Sequence, residues 1–321
     1  MFDFFILFGG LLLVIEGANF LVKGASSLAK KFGLSDLVIG LTVVAFGTSL
    51  PEMMVSVLAG INGNSDLVLG NVIGSNISNI LLILGLTALV SPLRVDLSTV
   101  KRQFPFLIFS SLVLVILMAE ELIEGTKNPF ISRLDGLILL SFFLIYIYYT
   151  FLNAFLGGGL DTHDDYETKP VLQSVGWVIM GVVGLFIGGE LSVGSAESIA
   201  IKLKIDEAII GLTVIAVGTS LPELVTSVIS AYQKKTDIAI GNVVGSNIFN
   251  TFWILGVSSL VSPIAIDTKL YSDAIVMIIA SILLFLFLFT FKKQVITKKE
   301  GAFLFSIFLL YVIFNVVRVV G

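Results

Sequence analysis

Apolar residues run nearly unbroken for about twenty positions at a time along this chain, stop at short polar punctuation, and run again. A helix rising 1.5 Å per residue needs a run of that length to cross a hydrocarbon core about 30 Å thick. The runs fall at 3–22, 36–61, 67–90, 103–119, 135–153, 171–193, 207–232, 238–261, 273–291 and 302–318. They predict an all-α integral membrane protein with ten transmembrane helices. Several runs contain Gly, Ser, Asn or Pro, which a membrane helix tolerates when its neighbours cover the backbone.

Composition agrees with the pattern. Of 321 residues 56% are hydrophobic and only 13% charged, and mean hydropathy is +1.05, whereas soluble domains carry about a quarter charged residues. The runs leave no room for a sizeable soluble domain or a nucleic-acid-binding face. Cysteine is absent and the one histidine, His163, lies in a polar loop. Disulfides, thiolate sites and His/Cys metal sites are therefore excluded, and any cation must be held by oxygen. The net charge of −4 is too small to imply a partner. The first run has Asp3 and no basic residue ahead of it, so it is read as a span and not as a leader.

The chain also repeats itself. Residues 37–92 align with 208–263 at a constant offset of 171 without a gap, with 30 identities in 56 positions. This divides the chain into a first five-helix repeat at 1–156, a Gly-rich and then acidic linker at 157–170, and a second repeat at 171–321. Five spans per half is an odd number, so the second half enters the membrane from the opposite side and the repeats are inverted. Placing both termini outside puts thirteen basic residues on the inner segments and six on the outer ones. The positive-inside rule favours that orientation, with the linker in the cytoplasm of a cell-membrane protein.

Within each repeat the hexapeptide GTSLPE, at 47–52 and 218–223, places a glutamate and a proline deep in an apolar span. Glu52 and Glu223 are costly there, and intramembrane acids face a partner, the protein interior or an ion path. Helical spacing puts Thr48, Ser49, Glu52 and Ser56 on one side of the second span, and Thr219, Ser220, Glu223 and Ser227 on one side of the seventh. Pro51 and Pro222 have no amide hydrogen, so the carbonyls of Gly47 and Gly218 lose their helical partners and the helix bends. The following spans carry GNVIGSN at 70–76 and GNVVGSN at 241–247, with Ser75 and Asn79, and Ser246 and Asn250, one turn apart. Two carboxylates, several hydroxyls, amides and unpaired carbonyls suit Ca²⁺, which takes six to eight hard oxygens; Na⁺ can use the same set, and Mg²⁺ is less favoured because it keeps its water.

These paired motifs, VVAFGTSLPE with GNVIGSNISN and VIAVGTSLPE with GNVVGSNIFN, closely resemble the alpha repeats of the calcium/cation antiporter superfamily, above all its prokaryotic sodium/calcium exchangers. The resemblance covers the whole ten-span layout. It implies exchange of cytoplasmic Ca²⁺ for external Na⁺ by alternating access, with no cofactor, by a protein functional as a monomer. It also implies a central calcium site of the Glu52 and Glu223 carboxylates with the carbonyls of Thr48 and Thr219. Flanking sodium sites would use Ser49 and Ser75 with the carbonyl of Ala45, and Ser220 and Ser246 with that of Ala216. Asn79 would complete the middle, and Asn250 stands where some relatives carry an aspartate. The first and sixth spans would be the moving elements.

Other readings stay open at this stage. A proton-coupled exchanger could use the same glutamates as proton carriers. A cation channel could use acids and carbonyls too, although channels usually assemble identical rings. No HExxH or GxSxG motif supports an intramembrane enzyme. Glu16 and Glu190 are read as helix-end residues reaching the interface. Ser35-Asp36 and Asp206-Glu207 are read as helix starts, and the acidic stretch 161–167 as a solvated linker.

Overall fold

In the computed structural model the described residues are 2–120, 125, 129–156, 169–203, 216–290 and 294–320. Eight helices among them are long and apolar enough to cross a membrane, or nine when a bent pair is counted as one span. Of the ten expected spans the remaining one, 207–232, lies partly outside the described residues, as do the Asp206-Glu207 helix start, residues 157–168 of the linker and its acidic stretch.

Two helices form a long antiparallel pair, α1 (Phe2–Phe32) and, late in the chain, Val171–Lys202. Both exceed the expected spans, 31 and 32 residues against runs ending at 22 and 193. Both helices continue past those ends; beyond residue 22 the inner face of α1 still packs, with Ser27 and Ser174 meeting hydroxyl to hydroxyl at 2.8 Å. Small residues set the closeness of the pair. A Cβ on Gly181 would stand 2.5 Å from the Leu21 nitrogen, and one on Gly17 2.7 Å from the Leu185 nitrogen. Lipid offers apolar helices no hydrophobic reason to associate, so such close backbone packing is what holds them together. The extra length also moves Glu16 and Glu190 away from the helix ends, where they had been expected; both are exposed on the pair's surface.

Between the two partners the chain is broken repeatedly. Helix α2 (Asp36–Ile39) starts at Ser35, whose hydroxyl accepts the Val38 N–H, as its sequence predicts. It runs through a π-helical turn at Gly40–Val44 into α3 (Ala45–Thr48), and the path then turns by 47° into α4 (Leu50–Ile61). Helix α5 (Ser65–Ile77), a second π-turn (Ser78–Ile83) and α6 (Leu84–Val90) make the next span. Then come strand β1 (Leu93–Arg94), α7 (Leu97–Met118), strand β2 (Phe130–Ile131) and α8 (Arg133–Leu156), before α9 (Val171–Lys202).

The later part repeats these breaks with α10 (Ala216–Thr219), α11 (Leu221–Tyr232), α12 (Thr236–Ile248), a π-turn (Phe249–Ile254) and α13 (Leu255–Val261). Every one of those boundaries equals its earlier counterpart plus 171, so the sequence repeat is a structural repeat down to the residue where each helix stops. Strand β3 (Ile264–Ala265), a 3-10 turn at Thr268–Leu270, α14 (Tyr271–Thr290), β4 (Val295–Ile296) and α15 (Lys298–Val320) complete the chain.

The interior lies on the repeated spans. In their most apolar eighteen residues, Ser65–Val90 and Thr236–Val261 are 83% and 94% buried, against 22% for Val171–Lys202. The exposed side chains of the outer helices are large and apolar, among them Phe4, Leu144, Leu172 and Leu310. Two short antiparallel ribbons tie connections together: Leu93 pairs with Ile296, and Phe130 with Ala265. At the end of α15 Arg318 donates to the buried Asp273 at 3.0 Å and Tyr311 donates to it at 2.8 Å, closing α15 on the start of α14.

Candidate cation-binding site

The sequence places Glu52 and Glu223 in the first turns of α4 and α11, each just after a proline at the second position. That placement follows from backbone chemistry. Proline lacks the N–H that a helix's first turn cannot use, so a new helix can begin there at little cost. Ser49 and Ser220, between the half-helices, have φ/ψ near −85°/6° and −88°/8°. The break aims the carboxylates inward, where the two glutamates are 2% and 1% exposed.

Hydroxyls then cross from one repeat to the other. Ser49 donates towards Glu223 Oε1 at 2.9 Å and lies 3.0 Å from Ser246 Oγ. Ser220 donates towards Glu52 Oε1 at 3.3 Å and lies 3.4 Å from Ser75 Oγ. The sodium sites expected from the sequence group Ser49 with Ser75 and Ser220 with Ser246; the hydroxyl contacts in the structure run instead from Ser49 to Ser246 and from Ser220 to Ser75. The reason is the bend. A straight helix would keep each serine on its own repeat's face, whereas a break at the serine turns its hydroxyl into the facing repeat.

A set of oxygens remains unpaired. Glu52 Oε2, Glu223 Oε2, Asn79 Oδ1 and Asn250 Oδ1 are buried with no hydrogen-bond donor among the described residues. Asn79 and Asn250 each occupy the second position of a π-turn, a widened coil often found at functional sites. Asn250 donates to Asn76 Oδ1 at 3.1 Å, and Asn76 donates to Thr251 at 2.9 Å. The equivalent Asn247 donates instead to its own helix at Val243 O, 2.7 Å away. The asymmetry has a simple origin: Thr251 corresponds to Ile80, which has no acceptor to offer.

Two asparagines that the motif search quoted without assigning a role hold the carboxylate helices. Asn71 donates to the Glu52 carbonyl at 3.1 Å and to Ser56 at 2.9 Å. Asn242 donates to the Glu223 carbonyl at 3.3 Å and to Ser227 at 3.0 Å. The available signal was an identical asparagine in both copies of an apolar span, at 71 and 242. Thr48 is fully buried, and Ala45 and Ala216 open the half-helices α3 and α10 that end at Thr48 and Thr219. Among the described residues no group of three or more His, Cys, Asp or Glu side chains forms. Among the described residues, two carboxylates and many neutral oxygens are what this cluster could offer a cation, and hard oxygens of that kind fit Ca²⁺ or Na⁺.

Broken membrane helices that bury acids against hydroxyls of the facing repeat, with unpaired amide oxygens on the spans that follow, are the construction of an ion carrier of the membrane. The particular family follows from comparison. The family model described as sodium/calcium exchanger protein matches residues 2–152 and 173–317, and the chain belongs to that family of ion antiporters. Among similar proteins, the sodium/calcium exchanger MaX1 of Methanosarcina acetivorans is 33% identical, with 97% of each chain covered. The inner membrane protein YrbG of Escherichia coli is 38% identical, with 85% of each covered. A solved structure of the sodium-calcium exchanger NCX_Mj superposes with a TM-score of 0.82 at 34% identity, covering 96% of this chain and 97% of that one.

Proposed function

We propose that this protein exports Ca²⁺ across the cell membrane in exchange for Na⁺ by alternating access, using the Na⁺ gradient. The observation that carries the reading is the reciprocal crossing of hydroxyls, Ser49 to Glu223 and Ser220 to Glu52. It makes one site from two repeats, with two formal negative charges that one Ca²⁺ or two Na⁺ can neutralise but both loads cannot share. Glu52 and Glu223 with the carbonyls of Thr48 and Thr219 form the calcium site. Ser49, Ser246 and Glu223, and Ser220, Ser75 and Glu52, with the carbonyls of Ala45 and Ala216, form the sodium sites, and Asn79 and Asn250 lie at the middle. Both transported ions are substrates, and no further cofactor takes part.

The finer architecture belongs to the same proposal: ten spans in two inverted repeats, 1–156 and 171–321, joined by a cytoplasmic linker at 157–170, with both termini outside and one chain sufficient for transport. The two ribbons support it. With ten crossings the connections bearing β1 and β4 both fall inside and those bearing β2 and β3 both fall outside, so each pairing joins loops on one side. The chain has no cysteine, so a single cysteine placed in 157–170 is expected to react with an impermeant thiol reagent only from the cytoplasmic side, and one at Gly321 only from outside. Labelling of the two positions from the same face would reject the inverted arrangement. The closely seamed pair α1 and α9 is the moving element about a fixed site.

Calcium-45 uptake into proteoliposomes under imposed Na⁺, K⁺ or pH gradients tests the coupling. Uptake is expected to require internal Na⁺. Uptake that follows a pH gradient without Na⁺ would mean proton coupling instead. Ser49→Ala and Ser220→Ala each remove one neutral ligand, so each is expected to raise the half-saturating Na⁺ concentration about five- to tenfold, the worth of one good polar contact. Unchanged Na⁺ dependence in both variants would remove these hydroxyls from the sodium sites.

A further inference from the structure

The Thr48 hydroxyl has one proton and, besides the Glu223 carboxylate next to it, three acceptors within reach. It lies 3.1 Å from the Val44 carbonyl, 3.3 Å from the Ala45 carbonyl and 3.0 Å from Asn242 Oδ1. The first two are neighbours on the hydroxyl's own helix, the usual back-bonding acceptors of a helical threonine. The third belongs to α12, across the interface between the repeats.

The Ala45 carbonyl is contested. A carbonyl oxygen has two lone pairs, and one already accepts the Ser49 N–H at 3.0 Å. The other can face either the Thr48 proton or a cation, and a proton directed at Val44 or Ala45 remains beside the ion. The Glu223 carboxylate beside the hydroxyl is itself assigned to a sodium site, so only Asn242 draws the proton away from the ion's ligands while keeping the buried hydroxyl paired.

Asn242 is built for that task. It is fully buried, and its amide nitrogen donates to the Glu223 carbonyl and the Ser227 hydroxyl, both on α11. A backbone carbonyl can only accept, so the amide cannot turn over without leaving that oxygen facing another. Its own carbonyl is thereby fixed towards Thr48, in the other repeat.

We propose that Asn242 is a positioning residue for sodium: it takes the Thr48 proton when Na⁺ engages the Ala45 carbonyl, and so clears that oxygen for the ion. The inference rests on the assignment of Ala45 as a sodium ligand made above. It gives Na⁺ and Ca²⁺ different sensitivities to a residue that touches neither, because the calcium ligands include the Thr48 backbone carbonyl and not the Ala45 one.

The test measures the Na⁺ and Ca²⁺ dependence of exchange in proteoliposomes. Asn242→Leu strands the proton beside the ion and is expected to raise half-saturating Na⁺ about five- to tenfold while moving that for Ca²⁺ less than about twofold. Thr48→Val keeps the side chain's shape and removes the proton, so half-saturating Na⁺ in the double variant Thr48→Val/Asn242→Leu is expected to lie within about twofold of that in Thr48→Val alone, the proton's removal relieving the defect of Asn242→Leu. A merely structural role for Asn242 would not be relieved in this way. Equal weakening of both ions by Asn242→Leu without relief by Thr48→Val would overturn the proposal. If Asn242→Leu fails to assemble, Asn242→Ala takes its place in the same comparison, and half-saturating Na⁺ that Thr48→Val does not bring back to within about twofold of Thr48→Val alone rejects the idea. Glu52→Gln and Glu223→Gln, measured in parallel, separate the two levels. Normal exchange in those variants removes the site itself, whereas their loss together with a failed Thr48 pattern removes only the role of Asn242.

Discussion

Glu52→Gln is expected to abolish calcium exchange, and Glu223→Gln to do the same on its own. Each substitution keeps the shape and one oxygen of the side chain but removes one of only two charges available to the ion. At about 4 Å and an effective dielectric of 20, one unit pair is worth about 4 kcal/mol, and a divalent ion feels each lost carboxylate twice over. Even the single-charge figure corresponds to about a thousandfold in affinity. No third acid stands by to compensate, since no other carboxylate joins the pair among the described residues. The measurement is calcium-45 uptake at saturating internal Na⁺ together with Ca²⁺ titration of the purified protein. Exchange within about tenfold of the parent in either variant would refute a two-carboxylate site.

The second large effect lies far from the ion, in the seam between α1 and α9. Gly181→Leu is expected to prevent assembly of the stable protein or to lower its thermal unfolding temperature sharply, with loss of transport. A Cβ there would meet backbone at 2.5 Å and 2.8 Å, from the Leu21 nitrogen and the Gly17 carbonyl, and rigid backbone atoms on both sides cannot yield as a flexible side chain could. Overpacking a fitted interface costs about 1–3 kcal/mol when side chains can repack, and this contact leaves them nothing to repack. Gly176→Leu is the matched control on the same helix. No heavy atom lies within 4 Å of a Cβ at Gly176, so that variant is expected to keep both stability and exchange. Equal melting and transport for the two variants would show that α1 and α9 do not depend on this approach.

Between them these results probe two kinds of legibility. The amino-acid sequence announces the carboxylates because an acid amid apolar residues is costly, and a costly feature duplicated at a fixed offset is conspicuous. It announces the helix start at Ser35 and the bends at Pro51 and Pro222 because capping and the missing proline N–H act within a few residues. It does not announce the π-turns at Ser78–Ile83 and Phe249–Ile254, whose single extra residue per turn leaves no compositional mark. Nor does it give the true lengths of α1 and α9, because continuation past residues 22 and 193 is decided by what those helices pack against.

What the sequence determined by itself is thus local or periodic: helices of membrane length, their duplication, their breaks, and the oxygen ligands on hand. What only the tertiary structure decided is partnership. Ser49 serves Glu223 and not Ser75, Asn242 holds Thr48, and Asn76 finds Thr251 while Asn247 turns back on its own helix. Each of those pairs joins residues 170 or more positions apart in the chain, or fails to join them because one partner is isoleucine. Hydrogen bonds act over about 3 Å, so spacing along one helix cannot reveal which side chain of another will stand across from it.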